Sequence, residues 1–427
     1  MLTRRTLLQS AAAASLVPWS WAGKAWAAPS ERITIGFIGV GTMGRGHLGR
    51  MLGRPDVEVV AICDVVQERI DSAAEMVQKA YADRSEGGNA AAPRTCGDFR
   101  DLLAMKEIDA VLIATPDHWH AIPCIQAAAA GKHIYCEKPL THNVAEGRKI
   151  VEAVDNAKVV FQTGSQQRSE FGGHFRRAVE AIWNGRIGQV KTVRIGVGGP
   201  ARPCDLPTQE IPAGTNWNMW LGPAPQRGYN EVLCPKGVHG HFPQWRAYRE
   251  FAGGGLADMG AHHFDIAQWA LGMDRGGPSE IVPPANPESG QGLQFIYPNG
   301  TVMIHNEFEG ETKADCVFEG TDGTILVSRG SISSQPESVL KDPLPEDAKR
   351  VLPSNDHQKN WLDAIRGDAT TICPAEVGHR SATICHLGNI GYRLGRKLSW
   401  NADQEQFTGD EEANQHLSRE PRTGWEG

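Results

Sequence analysis

The chain has 427 residues, of which 40% are hydrophobic and 22% are charged, so it can bury a large core in one or two domains. Its 50 acidic residues outnumber its 43 lysines and arginines, which gives a formal net charge of −7. This acidic balance argues against nucleic acid or an anionic membrane surface as a partner.

The first 27 residues predict an export signal. Arg4 and Arg5 precede an apolar run, and Ala25-Trp26-Ala27 supplies the small residues of a cleavage site. The run is too short to cross a bilayer, and the paired arginines favour the twin-arginine export machinery as a partner. An ordinary secretory signal or a retained anchor is the alternative. We therefore expect residues 1–27 to be removed and the protein to be periplasmic or otherwise exported.

Removal of the signal makes the chain more acidic. The segment contains three basic residues and no acidic one, which leaves 40 basic against 50 acidic residues and a net charge of −10. The nine cysteines are scattered and form no CxxC pair, and several lie inside apolar runs. We expect buried thiols and no disulfide, because the twin-arginine route carries proteins that have already folded.

A nucleotide-binding turn follows the signal. The apolar strand ITIGFIG ends in a GxGxxG pattern, and a helix is expected from Met43 to Leu52. Gly39 makes the tight turn, Gly41 lets the backbone approach a pyrophosphate, and Gly44 lets the helix pack on the strand. The helix N-terminus offers free N–H groups to the phosphates. The cofactor candidates in this turn are Gly39, Gly41, Thr42, Met43 and Gly44.

The second strand, VEVVAICD, ends at Asp64, 20 residues after Gly44. An acidic residue at this distance accepts hydrogen bonds from the adenosine ribose hydroxyls and repels a 2′-phosphate, which favours NAD over NADP. The alternative is that Asp64 caps the helix that follows.

Strands and helices continue to alternate. Strands are expected at 108–115, 132–139 and 159–165, and helices at 120–131 and 143–157. This alternation predicts an α/β fold with a parallel, doubly wound sheet that binds ligands beyond the carboxyl ends of its strands. We assign residues 31–160 to a Rossmann dinucleotide-binding domain.

Two motifs carry a resemblance to a family. The strand at 132–139 ends in Cys136-Glu137-Lys138-Pro139-Leu140, and residues 253–265 read GGGLADMGAHHFD. Together with the GxGxxG turn they resemble the Gfo/Idh/MocA oxidoreductases over residues 32 to about 400. The resemblance implies that Lys138, Asp258 and His262 surround the nicotinamide and the substrate hydroxyl. It also implies that Glu137 lies at the cofactor.

The chemistry of these residues suits the oxidation of an alcohol. His262 is a natural base because the ordinary pKa of histidine, about 6.5, lies near working pH. Asp258 precedes it by four residues and would share its face on a helix, and the Lys138 ammonium can stabilise an alkoxide. Taken singly, Lys138 can also be a surface lysine, Asp258 a helix cap and His262 or His263 a core histidine.

Further cofactor and substrate residues are implied by the resemblance. Residues 115–120, TPDHWH, match a segment that lies along the cofactor, with Pro116 and His120 aligning best and the roles of Asp117 and His118 open. Residues 164–168 depart from the family's pattern, and Gln166 is expected to bind the carboxamide or the substrate. The remaining candidates are Thr115 for the cofactor and Arg168, His241, Trp245, Arg246 and His263 for the substrate.

The second half predicts a C-terminal α/β domain over residues 161–400. A strand at 189–198 precedes an aperiodic segment, 199–251, in which Trp217, Trp220 and Trp245 either stack on a sugar ring or are simply buried. Four strands between 293 and 330, with hairpin turns at Asn299-Gly300 and Asp322-Gly323, predict a large, mostly antiparallel sheet. By the resemblance its open face makes homo-oligomer contacts, in a dimer or a tetramer.

The chain closes with two predicted helices, at 357–366 and 375–394, and a polar tail. We expect this tail, residues 401–427, to wrap a neighbouring subunit or to stay mobile. HxH pairs such as 118/120 and 239/241 lack a third ligand at close spacing, so no metal is predicted.

Export separates the protein from a supply of free NAD, so the expected enzyme keeps its NAD bound and recycles it internally. One such cycle oxidises one sugar and reduces another. A second is a redox-neutral glycosidase that oxidises a sugar, usually at C3, eliminates the glycosidic group, adds water and restores the hydroxyl; its extra base would be His241 or Tyr248. A plain dehydrogenase and a binding protein that has lost turnover complete the set of expected functions.

Overall fold

The computed structural model describes residues 31–84, 91–307 and 315–425. The predicted export signal lies outside these residues. Within them, two sheets with their own helices face each other across a cleft. No helix of the described chain combines the length and the apolar character that crossing a membrane requires.

The first sheet is parallel and has the order β3-β2-β1-β4-β5-β6. Its strand order reverses between β1 and β4, where open α/β sheets bind ligands. Most strand residues are buried, which explains the continuous apolar runs of the sequence. The predicted Rossmann architecture is confirmed. The strands are β1 (Ile33–Ile38), β2 (Val57–Cys63), β3 (Arg94–Cys96), β4 (Ala110–Ile113), β5 (His133–Cys136) and β6 (Phe161–Thr163).

Helices cover this sheet. The fifth of them starts at an N-cap, Asn143, whose side chain accepts a hydrogen bond from the Glu146 N–H at 3.0 Å. The second, of 16 residues, was expected after Asp64 without stated limits, and Ile70, Ala73 and Val77 give it a buried face. The helices are α1 (Thr42–Leu52), α2 (Gln67–Ala82), α3 (Phe99–Leu103), α4 (Ala121–Ala129) and α5 (Val144–Ala157).

The second sheet has nine strands in the order β13-β12-β11-β7-β10-β9-β8-β14-β15. Its pairs are antiparallel except β7 with β10, so the prediction of a mostly antiparallel sheet is confirmed. The strands are β7 (Val190–Ile195), β8 (Glu280–Val282), β9 (Gln294–Ile296), β10 (Val302–His305), β11 (Cys316–Gly320), β12 (Thr324–Val327), β13 (Ile332–Gln335), β14 (Leu398–Asn401) and β15 (Gln406–Phe407).

Both predicted hairpin turns are present. Asn299-Gly300 joins β9 to β10, where Gly300 has a φ of 83° and the Tyr297 N–H donates to the Thr301 carbonyl at 2.9 Å. Asp322-Gly323 joins β11 to β12, where the Gly320 N–H donates to the Gly323 carbonyl at 2.8 Å, and the strands pair from Cys316↔Val327 to Glu319↔Thr324.

Helices cover one face of the second sheet. Across the other face, register places Leu326, Val317, Arg194, Ile304 and Gln294 in one cross-strand row. The helices are α6 (His174–Trp183), α7 (Trp217–Leu221), α8 (Gly255–Asp258), α9 (Gly260–Ala270), α10 (Ser338–Lys341), α11 (His357–Arg366), α12 (Ala375–Leu394) and α13 (Glu411–Asn414).

The structure moves two expected boundaries. Strand β6 belongs to the first sheet, so the Rossmann sheet extends past residue 160 to Thr163. Later in the chain, α11 returns to the first domain, where Trp361 and Leu362 join its core and the Trp361 ring lies 5.6 Å from that of Tyr135. The second domain is therefore not one continuous block from 161 to 400.

The C-terminal tail packs on its own chain as far as Trp425, which corrects the expectation that it stays mobile, while its wrapping of a neighbour stays a prediction. Leu417 is buried with the core of the second sheet. Beyond it the Arg422 guanidinium donates to the Gly222 carbonyl at 2.9 Å, and the Trp425 ring meets that of Trp119 edge to face at 5.2 Å. These contacts offset the entropy lost by ordering a sequence that looks too polar to pack.

Candidate functional site

One cavity of about 380 Å³ lies where the strands of the first sheet end and the second domain faces them. Most of the predicted site residues line it, although they are dispersed over more than 200 residues of sequence. Those that line it are Gly39, Gly41, Thr42, Met43, Asp64, Thr115, Pro116, Glu137, Lys138, Gln166, Trp245, Arg246, Asp258 and His262.

The glycine turn has the shape that a dinucleotide needs. Gly39 has a φ of +86°, and a Cβ there would meet the Ala114 carbonyl oxygen at 2.8 Å. A Cβ on Gly44 would stand 2.1 Å from the Gly39 oxygen, whereas one on Gly41 would meet nothing within 4 Å. Gly41 thus faces open space, and no side chain caps the N-terminus of α1. Its free N–H groups are available to phosphate oxygens.

Asp64 lies at the end of β2 and lines the cavity. Its two carboxylate oxygens accept hydrogen bonds from the N–H groups of Val40, at 2.8 Å, and Val66, at 3.0 Å. Each oxygen keeps a second lone pair, so the same carboxylate can receive the ribose hydroxyls. The turn and Asp64 together fit NAD.

Lys138 and Asp258 form an ion pair across the cavity. The Lys138 Nζ donates to Asp258 Oδ1 at 2.8 Å and to its backbone oxygen at 2.5 Å, while Arg246 Nε lies 3.6 Å from Oδ1. Burial raises the pKa of Asp258, but the charges of Lys138 and Arg246 outweigh burial and hold that pKa below its usual value. Asp258 therefore stays ionised and holds the Lys138 ammonium in place. We call the end of the cavity beside this ion pair the reacting end.

His262 and Asp258 do not share a helix as predicted. Asp258 ends α8, and Met259 separates it from α9, which carries His262 in its first turn. The His262 Nδ1 is buried and has no hydrogen-bond partner among the described residues. Burial and then the charges of Lys138 and Arg329 lower the pKa of His262 well below its usual value, so its imidazole is neutral and can accept a proton.

A buried network fixes the strand end that presents Lys138. Glu137 Oε1 accepts hydrogen bonds from His47 Nε2 and Gln166 Nε2, both at 2.7 Å. The other His47 nitrogen, Nδ1, lies at hydrogen-bond distance, 2.7 Å, from Gln358 Nε2. Burial raises the pKa of Glu137, but the His47 bond and nearby charges lower it below its usual value. The network was not predicted, because its partners are 29 to 311 residues apart.

Arg168 is placed elsewhere, which corrects its assignment to the substrate. Its guanidinium is buried in bidentate ion pairs with Asp265 and Asp274, with distances of 2.7 Å to each, and lies over the Trp269 ring. Asp265 alone would be costly to bury, so Arg168 serves the core of the second domain.

Three histidines assigned to the site also lie outside the cavity lining. His120 bonds the carbonyls of Thr115, at 2.9 Å, and Pro139, at 2.8 Å, so it holds two cavity loops together instead of contacting a ligand. His263 turns its Nδ1 to the Gly196 carbonyl at 3.0 Å. The ring of His241 is exposed to solvent.

Tyr248, the other candidate for an extra base, is buried away from the cavity lining, where its hydroxyl accepts a bond from Arg202 at 3.3 Å. Two residues left open by the sequence do line the cavity: Asp117 and Trp220. Neither has a periodicity that would have revealed it, because each becomes part of the site only when the two domains meet.

Part of the long segment closes over the adenosine half of the cavity. We call residues 232–241 the strap. Arg69, at the start of α2, donates to the strap carbonyls of Gly237, at 3.0 Å, and Pro235, at 2.6 Å. Thr42 in the glycine turn donates to the carbonyl of His241 at 2.8 Å. The strap therefore ties the second domain to α2 and to the glycine turn.

The cavity meets solvent beside its reacting end. Phe242 follows the strap, lines the cavity and is 57% exposed. The Arg246 guanidinium lies 5.0 Å from the Phe242 ring and 4.1 Å from the Trp245 ring, and its other neighbour is Asp258. Aromatic rings and a cation thus surround the approach to the Lys138–Asp258 pair.

Comparison with known families agrees with this geometry. Residues 33–165 match the model for the oxidoreductase family's NAD-binding Rossmann fold, and residues 201–427 match the model for its C-terminal alpha/beta domain. The chain belongs to the Gfo/Idh/MocA oxidoreductase family. Its first domain is accordingly an NAD-binding domain, as the glycine turn and Asp64 predict.

Relatives with curated names match only part of this family member. Myo-inositol 2-dehydrogenase of Thermotoga maritima is 33% identical over 171 residues, 40% of this chain and 46% of that protein. A glycosyl hydrolase family 109 protein of Shewanella baltica is 32% identical over 163 residues, 37% of this chain and 34% of that protein. The matches thus cover less than half of these relatives.

Solved structures share the whole fold at lower identity. The WlbA dehydrogenase of Bordetella pertussis, in complex with NADH and UDP-GlcNAcA, is similar with a TM-score of 0.60 and 20% identity, over 87% of this chain and 99% of that one. Aldose-aldose oxidoreductase of Caulobacter crescentus gives a TM-score of 0.58 and 17% identity, over 86% and 99%. At such identities the likeness shows the fold.

Proposed function

We propose that the protein is an exported NAD-dependent oxidoreductase that acts on a secondary hydroxyl of a sugar or sugar derivative. The observation that carries the proposal is the convergence of Lys138, Asp258 and His262 at one end of a cavity whose other end is the NAD-binding turn. A small, polar carbohydrate suits this end, because a cation, a carboxylate and an imidazole all offer hydrogen bonds to hydroxyls.

Each side chain has a part in the chemistry. Bound NAD supplies the acceptor for the hydride of the alcohol carbon. The Lys138 ammonium, held by Asp258, stabilises negative charge on the substrate oxygen. The neutral His262 accepts the hydroxyl proton.

The proposal includes NAD that stays bound and is recycled internally. The strap supports this part, because residues held by Arg69 and Thr42 must release before the adenosine end can open. The name of the Caulobacter neighbour, an aldose-aldose oxidoreductase, describes chemistry that pairs two sugars. Such pairing needs no external NAD, which fits an enzyme that works outside the cytoplasm.

Location and assembly are part of the proposal. The sequence of residues 1–27 supports export by the twin-arginine machinery to the periplasm. The family resemblance supports a homo-oligomer, a dimer or a tetramer, that forms through the sheet face opposite the helices, where Leu326, Val317 and Ile304 share one cross-strand row.

The first experiment is to denature the purified mature protein and identify any nucleotide that it releases. Near-stoichiometric NAD or NADH is expected, and sugars should then be screened alone and in pairs without added cofactor. An empty protein that binds NAD only weakly would contradict retention and favour a plain dehydrogenase or a binding protein without turnover.

A second candidate is the redox-neutral glycosidase. The Shewanella relative carries a glycosyl hydrolase name, and this reaction requires one more proton-transfer group than a dehydrogenase does. Asp117, which lines the cavity, carries a carboxyl group of this kind.

A further inference from the structure

Asp117 is an additional acid at the reacting end of the cavity. It opens a short 3₁₀ helix, Asp117–Trp119, that follows β4, and it lines the cavity while only 4% exposed. No other residue of the described chain donates a hydrogen bond to its carboxyl group. A buried acid that is hydrogen-bonded only by its own backbone N–H is costly, so its position in the cavity wall points to a group that engages a ligand.

The surroundings of Asp117 suit proton exchange near neutral pH. Burial, and then the negative charge of Asp258, raise the pKa of Asp117 to about 8, against the opposing charges of Arg246 and Lys138. A group with a pKa near working pH is the most effective acid–base catalyst. The charge of Asp117 also raises the pKa values of the buried thiols of Cys136 and Cys385.

We propose that the substrate is a glycoside and that Asp117 moves a second proton of its reaction. Asp117 takes this proton from the carbon next to the oxidised carbon and gives it to the departing glycosidic oxygen. This inference rests on the proposed oxidation of a sugar hydroxyl at the same site. It replaces His241 and Tyr248, which the sequence offered for this part and which lie outside the cavity lining.

The step balances on one carboxyl group. After oxidation, the new carbonyl acidifies the neighbouring C–H bond, and the Asp117 carboxylate takes that proton. The C–H electron pair forms a carbon–carbon double bond as the glycosidic C–O bond breaks with its pair on oxygen. Asp117 then gives the proton to that oxygen. Water adds by the reverse path, losing a proton to Asp117, which returns it to carbon.

The test separates two signals in the holoenzyme. With a panel of para-nitrophenyl hexosides as probes, reduced nicotinamide absorbance reports oxidation and nitrophenolate reports elimination. In Asp117→Asn we expect the nicotinamide signal to stay within about threefold of wild type and nitrophenolate release to fall about 100-fold or more. Nitrophenolate needs no proton to leave, so this loss reports removal of the carbon proton.

Controls make the result specific. Asp117→Glu keeps an acid and should recover part of the release, with an altered pH profile, whereas Asp205→Asn removes an exposed carboxylate of the second domain and should match wild type. NAD content and melting temperature check that each variant is folded. In wild type, release should rise with pH up to about 8 as the carboxylate forms.

Each other outcome overturns the inference in a distinguishable way. Wild type that shows reduced nicotinamide but no nitrophenolate is an oxidoreductase alone, and the proposed function survives. If Asp117→Asn loses both signals equally, the role of Asp117 is structural. If this variant releases nitrophenolate at the wild-type rate, Asp117 takes no part in the elimination. Absence of any sugar-dependent nicotinamide signal in wild type removes the proposed function itself.

Discussion

Lys138 and Asp258 come from different domains, and their ion pair is the point at which the two halves of the chemistry join. The EKP and GGGLADMGAHHFD motifs predicted that these residues act together, and their 2.8 Å contact agrees. The motifs could not predict how His262 would be oriented, because Met259 breaks the helix on which Asp258 and His262 were expected to meet.

Lys138→Met should abolish most turnover while leaving NAD content unchanged. Loss of the ammonium removes stabilisation of the substrate oxygen and is expected to cost about 10²–10³-fold in rate. Single-turnover reduction of bound NAD by a sugar measures this rate. Lys191→Met, which removes an exposed lysine on β7, is the matched control. Turnover at the wild-type rate in Lys138→Met would exclude the assigned role.

Asp117→Asn should make the protein more stable than wild type as pH rises. The pKa of Asp117 is raised to about 8 in the folded protein, above an unfolded value near 3.9, so the folded state binds more protons between these values. The protonated Asp117 contributes fully to the free energy of unfolding below about pH 4. As pH rises to about 8 this contribution falls, by at most about 1.4 kcal/mol per pH unit. Urea unfolding of both proteins across this pH range measures the difference in their free energies of unfolding. A difference that does not change with pH would contradict the raised pKa of Asp117.

Arg168 shows where prediction at the residue scale fails. Its position after β6 and its charge were compatible with a substrate ligand. The deciding fact is the location of Asp265 and Asp274, about 100 residues later, which pair with it in the core. No local pattern in the sequence carries that information.

At the scale of elements, strands and helices with strong local signals were predicted well. Helices α11 and α12 have the predicted limits, and both hairpins occur where Asn-Gly and Asp-Gly predict them. The segment 199–251 had no periodicity, and its fold depends on contacts with Arg69, Thr42 and its own aromatic cluster. Its strap is thus a product of tertiary structure alone.

Gly237→Ala should loosen the strap. Gly237 has a φ of +61°, and a Cβ there would stand 2.3 Å from Glu68 Oε2, so the substitution disturbs the contact with α2. We expect the dissociation rate of NAD to increase about tenfold, which corresponds to about 1.4 kcal/mol. Release into an NAD-scavenging assay measures this rate.

Gly240→Ala is the control in the same strap, because a Cβ at position 240 would meet nothing within 4 Å. It should retain NAD as wild type does. If both variants release NAD at the same rate, the contact between Gly237 and α2 does not limit cofactor exchange.

At the scale of the whole molecule, the C-terminal part of the chain connects the domains. Helix α11 adds Trp361 to the core of the first domain, and the tail carries Arg422 back to the segment beside the cavity. The family resemblance predicted two domains with the right architecture. It could not predict these returning contacts, since they depend on distances between residues far apart in the chain.

Arg422→Ala should lower the melting temperature and weaken NAD retention. The Arg422 guanidinium donates to Gly222, Asn218 and Gln226, with distances of 2.6 to 2.9 Å. Loss of these charge-assisted bonds is expected to cost about 2 kcal/mol. Thermal unfolding measures the effect. Arg396→Ala, whose partners Asp410 and Glu412 lie at the surface, should change the melting temperature less.

The strap and the exposed Phe242 divide the cavity into a closed end and an open one. A small substrate can therefore enter and leave while the adenosine end stays shut. Under the proposed recycling of NAD between two sugars, turnover would consist of two half-reactions that use one binding site in turn, and double-reciprocal plots for a pair of sugars should be parallel lines. Deuterium placed on the oxidised carbon of the first sugar should be found on carbon in the second, without dilution by solvent hydrogen.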